Sequence, residues 1–434
     1  MLPPDFVIKN VNLWNESGVQ NGVDVFVASG VVAKIIKSGT QNFVHETIFE
    51  GHAKVLLPSG VDNQVHIRVP GQAHKETPKY AAHAALQGGY GAILAMPNTY
   101  PTIDTPERIK RCYEEWAPAF ETYGVELLQS SALSEALASR VNVNFEAMIE
   151  AGAKAFTDDG VSLVNDALME EAFEAAARLN FVILQHAEWP GHGGALASCE
   201  VQRQSGLKPY PQDAESRIVA RDLSLLRKHP KARYHVLHVT TLESVELIRS
   251  AQKEGLKVTG EVSPHHLYFC ADDIKEGNYS FKMNPPLFRS KDREALRAAL
   301  REGVLSFVAT DHAPHEEFSK SQGWQKAPFG TTGLESSLRV LFLMLNQKIL
   351  KSPEHLVEVF SSAPARFLGL KEYGSIEVGK PLRAVLCDPQ APLSPFTEAD
   401  LASLSHNNVF VGTELPGKLL GHFNSKGFFR IQLH

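Results

Sequence analysis

The sequence predicts a (β/α)8 TIM barrel with a small β-sandwich domain formed from both chain ends. Three observations predict it. Short apolar runs recur through the middle of the chain, and most gaps between them are long enough for a helix. Polar residues gather where those runs end, and β-rich segments of a different texture flank the middle on both sides. Parallel strands need crossover connections, and closing them into a ring removes the exposed edges.

Residues 1–55 read as the N-terminal part of the small domain. "DFVIKNVNLW", "GVDVFVASGVVAKII" and "HETIFEGHAKVLL" are rich in Val, Ile and Phe and punctuated by Gly, Asn and Ser. Residues 56–369 form the barrel, with apolar runs at "VLLPSGVD", "GAILAMPNT", "VELLQSSAL", "AKAFTDDG", "FVILQHAE", "YHVLHVTT", "KVTGEVSPHHL" and "LSFVATDHAPH". Between two of them, in 166–180, Leu168, Ala172, Phe173, Ala176 and Leu179 fall on one helical stripe, away from Glu170, Glu171, Glu174 and Arg178. Residues 370–434 return to β texture in "GSIEVGKPLRAVLCD" and "GKLLGHFNSKGFFRIQL" and complete the small domain.

Composition narrows the function class. The 434 residues are 43% hydrophobic and 21% charged, and the net charge of −6 gives no footing for nucleic acid or an acidic membrane surface. Cys112, Cys199, Cys270 and Cys387 are far apart and form no C-x-x-C pair, so they read as reduced core residues. The start "MLPPDFVIKN" lacks a basic region followed by an apolar run, and no stretch approaches membrane-spanning length. The expected location is the cytoplasm.

The chemistry-bearing residues sit at the ends of the apolar runs: His66 and Arg68, Asn98, Asp158 and Asp159, His186, His238, His265, and Asp311, His312 and His315. A barrel of this kind carries its site at that end, so they are expected to converge. Imidazoles with carboxylates suit a borderline divalent ion such as zinc, and the candidate ligands are His66, Asp159, His186, His238 and Asp311. An ion there would lower the pKa of a bound water and polarise a carbonyl, which makes amide hydrolysis feasible. Asp311, ending the last strand, could take the proton from the attacking water and return it to the leaving nitrogen.

"GVDNQVHIRVPG", "GGYGAILAMPNTYPT", "AKAFTDDG", "HAE", "HVLHVTT", "EVSPHHL", "KMNPPLF", "ATDHAPH" and "APFGTTGLE" follow one another in an order that resembles dihydroorotases, members of the amidohydrolase superfamily, of the longer type found in many bacteria. The resemblance covers nearly the whole chain. It implies interconversion of (S)-dihydroorotate and N-carbamoyl-L-aspartate in pyrimidine synthesis, with one or two zinc ions on the five ligands named above. It implies that Asp159, in preference to Asp158, bridges the metals, and that Arg68 and Asn98 hold the substrate carboxylate. It implies further contacts from Asn284 and His315 and from the backbone around Pro328, Phe329 and Gly330. A homo-oligomer is an expectation no motif decides.

The pattern also breaks. Gln64 stands where the family usually has the first His of H-x-H, and a carboxamide is a poorer zinc ligand than imidazole. Val69 replaces the usual Glu of "REPG". Lys154 lies near the place where other branches carry a carboxylated lysine bridging two metals. Two alternatives therefore stand beside the dihydroorotase reading: another cyclic amidase (hydantoinase or allantoinase), and a non-catalytic homologue serving as structural partner of aspartate transcarbamoylase. Glu188, His265 and His266 read as supporting residues around the ligands, and His74, Lys75 and Glu76 as part of a loop over the mouth.

Overall fold

Branched and aromatic residues build the first strands, and these pair into a sheet before the barrel begins. A computed structural model describes residues 5–42 and 47–431; His45 and Glu46 of the third β segment lie outside them. The strands are β1 (Asp5–Asn15), β2 (Gly18–Ala28), β3 (Val31–Lys37), β4 (Thr47–Glu50) and β5 (Val55–Pro58). β1 pairs antiparallel with β2, and β2 with β3, while β4 and β5 run parallel to β1. β5 then pairs with Ala384–Asp388, which leads to Lys418–Asn424 and Gly427–Arg430. Both chain ends thus share one continuous sheet around Phe6, Ile8, Val25, Leu56, Leu382 and Phe423. The ring of Phe49 in β4 lies 5.2 Å from that of Phe428 in the last strand. Pairing alone would hold those strands several 4.8 Å steps apart, so the sheet curls over its core.

The first apolar run of the barrel divides at Ser59. Val55–Pro58 joins the end sheet, and Gly60–Val65 opens the barrel as β6. It is followed by β7 (Tyr90–Ala95), β8 (Glu126–Gln129), β9 (Val182–Gln185), β10 (Arg233–Val236), β11 (Val258–Val262) and β12 (Phe307–Val308). β6, β7 and β8 pair in parallel, as do β9 to β12. The run "AKAF" links the two groups through parallel bridges of Phe156 to Ser131 and to Ile183. The ring closes where Val65 bridges His312 and the His66 amide donates to the His312 carbonyl at 2.8 Å. β6 and β7 are buried at every position, the mark of strands covered on both faces, and in β6 this includes the polar run Asp62, Asn63 and Gln64.

The connecting helices bury one stripe each. Asp166–Leu179 buries Met169, Ala172, Phe173, Ala175 and Ala176, while Leu168 and Leu179 at its margins are half-buried. Its Asn165 cap accepts from the amides of Ala167 and Leu168. After β12 the chain makes two short helices, Glu317–Lys320 and Gly323–Lys326, before the long buried helix Leu334–Asn346. All four cysteines are buried and free. No described helix is long and apolar enough to cross a membrane.

Candidate active site

The barrel strands deliver their terminal side chains to one cavity of about 140 Å³. Its walls bring together His66, Arg68, Asn98, Asp159, His186, His238, Asn284, Asp311, Phe329 and Gly330. His315 stands behind Arg68, 3.1 Å from its guanidinium. Arg68, His238 and Asp311 hold left-handed backbone, with φ of 60°, 31° and 50°. That conformation is unfavourable for residues with a Cβ and persists only where the surroundings over-determine it. Part of the restraint is Asp62, whose buried carboxylate accepts from the Thr310 amide at 3.1 Å and the Gln64 amide at 3.2 Å. It thereby ties the first barrel strand to the last.

Asp159, His186 and His238 each offer a ligand atom, all within 4.8 Å of one another. His186 Nδ1 lies 3.0 Å from His238 Nε2 and 3.4 Å from Asp159 Oδ1. Burial alone would raise the pKa of Asp159, but hydrogen bonds from His186 and His238 and the nearby His66 hold it well below the carboxylate range. His238 Nδ1 is buried without a hydrogen-bond partner, and Asp159 Oδ2 is buried with no hydrogen bond, facing only the His66 ring at 3.2 Å. An ionised carboxylate, two imidazoles and an unpartnered buried ring nitrogen fit a divalent cation. Asp158 is otherwise engaged: its Oδ1 accepts from the amides of Leu133 and Ser134, both at 2.9 Å.

His66 and Asp311 adjoin this cluster without joining it. His66 Nε2 is 3.1 Å from Asp311 Oδ1 and 3.2 Å from Asp159 Oδ2, and its Nδ1 meets Asn98 Oδ1 at 2.9 Å. Gln64 is buried beside them and turns its amide nitrogen toward Asp159. Lys154 does not belong here. Its side chain is exposed, so a carboxylated lysine bridge at that position is ruled out by placement.

The remaining wall carries a buried guanidinium, an imidazole and a carboxamide. Arg68 is buried, and its Nε donates to the Pro314 carbonyl at 3.1 Å. Burial draws its pKa down to about 10, opposed by Asp311, Asp159 and Glu76. His315 Nε2 contacts both Arg68 and, at 2.8 Å, the Phe329 carbonyl. One ring nitrogen either donates or accepts, so it serves one of these partners at a time. Asn284 donates to Glu188 Oε2 at 2.6 Å, and Glu188 also meets His186 Nε2 at 3.0 Å. Against the effect of burial, His186 and Asn284 bring the Glu188 pKa down to about 2. His266 Nε2 contacts the Pro285 carbonyl at 3.2 Å, next to Asn284; His265 is buried with its Nε2 unpartnered.

Several residues that shape the cavity carry no signal in the sequence. Asn407 accepts from the His315 amide at 2.9 Å and donates to the carbonyls of Ala313 and Gly330, both at 3.1 Å. Glu76 is buried and accepts from the Leu404 amide, fastening the segment that carries Asn407. Lys320 points its amino group at the backbone of the Phe329 loop. None has a spacing that marks this role, Glu76 being expected only as part of the mouth loop, because each acts through backbone groups of another segment.

Comparison with known proteins agrees with this architecture. Residues 55–420 match the model of the amidohydrolase family. A dihydroorotase of Bacillus cytotoxicus is 36% identical over 417 residues, covering 95% of each chain. One from Listeria innocua is 38% identical over 414 residues, covering 94% of each. Among solved structures, an L-hydantoinase from Arthrobacter aurescens superposes with a TM-score of 0.85 at 25% identity, covering 98% of this chain and 96% of its own. A dihydropyrimidinase from Brevibacillus agri has the same fold, with a TM-score of 0.84 at 19% identity over 99% and 96% of the two chains.

Proposed function

The chain belongs to the amidohydrolase family and, within it, to the dihydroorotases, and from that premise we propose that it catalyses the reversible, metal-dependent hydrolysis of the cyclic amide of (S)-dihydroorotate to N-carbamoyl-L-aspartate. One observation carries the reading: a single cavity holds both the buried Asp159–His186–His238 cluster and the Arg68 guanidinium. The substrate presents the matching pair of groups, a ring amide to be cleaved and a carboxylate to be held.

Zinc, bound by Asp159, His186 and His238, would supply a water of lowered pKa and a polarised carbonyl. The other steps belong to side chains. Arg68 offers a planar fork to the carboxylate, and Asn98 lines the cavity beside it. Asn284, fixed by its bond to Glu188, supports the ring. Asp311 accepts the proton of the attacking water and returns it to the ring nitrogen as the amide opens. His66, at 3.1 Å, holds the Asp311 carboxylate in place for both transfers.

The test is turnover of dihydroorotate by the purified protein, with hydantoin and allantoin assayed beside it and metal content measured on the same sample. Dihydroorotate turned over alone supports the reading, and preference for hydantoin or allantoin replaces it with another cyclic amidase. Gln64 favours a second reading, a non-catalytic partner of aspartate transcarbamoylase. Folded, metal-free, inactive protein that co-purifies with the transcarbamoylase would establish that one, and sedimentation of the same sample reads homo-oligomerisation.

A further inference from the structure

Lys320 ends the short helix Glu317–Lys320 and is only 5% exposed. Its Nζ donates to three backbone carbonyls: Lys282 at 3.0 Å, Pro328 at 3.1 Å and Gly330 at 2.9 Å. Among the described residues no carboxylate pairs with it. Burial, with Lys282 nearby, draws its pKa down to about 7. An apolar side chain would fill this space at less cost, since a buried cation without a counter-charge is unfavourable. What the amino group adds is the alignment of three carbonyl dipoles on one point.

Two of those carbonyls flank Phe329. With Pro328 and Gly330 both drawn to Lys320, the carbonyl between them is directed elsewhere, and it lies 2.8 Å from His315 Nε2. The same nitrogen is 3.1 Å from the Arg68 guanidinium. The loop has little room to find another course. A Cβ on Gly330 (φ +139°) would stand 2.8 Å from both the Cβ and the carbonyl oxygen of Ala313. The Gly330 amide is also spent on the Lys282 carbonyl at 2.9 Å.

We propose that Lys320 is a positioning residue: it holds the Pro328–Gly330 backbone so that the Phe329 carbonyl accepts from His315 Nε2–H, which keeps that nitrogen from capturing the Arg68 guanidinium and leaves its terminal nitrogen free for the cavity. The proposal rests on the dihydroorotase reading above. Lys320 does not line the cavity and acts on affinity for a carboxylated ring through the loop and His315.

The experiment compares the wild-type protein with Lys320→Met, which keeps the volume, and Lys320→Gln, which keeps two donors. For each, the melting temperature, metal content, kcat and KM for dihydroorotate are measured, with calorimetric binding of orotate as a probe that needs no turnover. The expected result is a KM and an orotate Kd raised about tenfold or more in Lys320→Met, a smaller rise in Lys320→Gln, unchanged metal content, and kcat within about threefold. Combining Lys320→Met with His315→Asn should weaken binding no more than about twofold beyond His315→Asn alone, because the two act in series. KM and Kd within about twofold of wild type, whatever the melting temperature, would overturn the proposal. So would full additivity in the double variant, or failure of both single variants to fold. A wild-type protein that binds orotate but turns over no dihydroorotate overturns the catalytic reading and this proposal's kinetic claim together. Binding losses in the variants, by contrast, are read separately.

Discussion

Gln64 Nε2 lies 3.5 Å from Asp159 Oδ1, while Gln64 Oε1 is buried with no hydrogen-bond partner. The carboxamide is therefore held weakly, facing a carboxylate of the Asp159–His186–His238 cluster. An imidazole in its place would give His66 and Asp311 a third strong donor for a second ion; a carboxamide oxygen gives a poor one. We expect the purified protein to retain about one tightly held ion per chain, and Gln64→His to raise this to about two. Mass-spectrometric metal analysis after exhaustive dialysis decides it. Two retained ions in the wild type, or no gain in the variant, would show that Gln64 does not limit the site.

Asp311 is the residue to which the proposed reaction gives a proton. Asp311→Asn keeps the size and one acceptor oxygen but loses the base, so turnover should fall by about 10²–10⁴-fold with KM changed far less. The φ of 50° at this position suits Asn as well as Asp, so the backbone should tolerate the exchange. Near-normal kcat would remove Asp311 from the proton transfer.

Glu76 gives the structure a pH dependence away from the metal ligands. Burial raises its pKa from the ordinary 4.5 to about 8, against hydrogen bonds from Thr77 and Leu404. Between those values the unfolded chain has released the proton that the folded chain keeps, so this residue's contribution lowers stability as pH rises through the window. Glu76→Gln removes that contribution. The variant's melting temperature should therefore improve relative to wild type between pH 5 and pH 8.5. A difference independent of pH would refute the account.

The barrel was legible because its strands are short apolar runs with polar ends, and the same feature put His66, Asp159, His186, His238 and Asp311 into one cavity. Strand-end position is a strong restraint in a closed ring: each such residue has only one place to point. The division at Ser59 was not legible, since "VLLPSGVD" is apolar throughout and nothing local distinguishes end-sheet pairing from barrel pairing. Lys154 misled for a related reason. Two residues before Phe156, on a run reduced to a bridge, its sequence position says little about which way it faces, and it is exposed. Asn407 was invisible because its three bonds reach residues 77 to 94 positions away.

Arg68 separates a carboxylated ring from the neutral rings that other cyclic amidases open. Its Nε is committed to the Pro314 carbonyl and one terminal nitrogen packs 3.1 Å from the His315 ring, and these neighbours orient the rest of the fork toward the cavity it lines. Lysine would keep the charge but lose both the planar fork and one of these anchors. Arg68→Lys should raise KM for dihydroorotate by about 10–100-fold, with a smaller fall in kcat, because the carboxylate is held in substrate and transition state alike. Steady-state kinetics on the variant measures this, with metal content as the control for an intact site. If the loss falls on kcat and KM stays within about twofold, Arg68 acts on the transition state, and the carboxylate must be held elsewhere in the cavity.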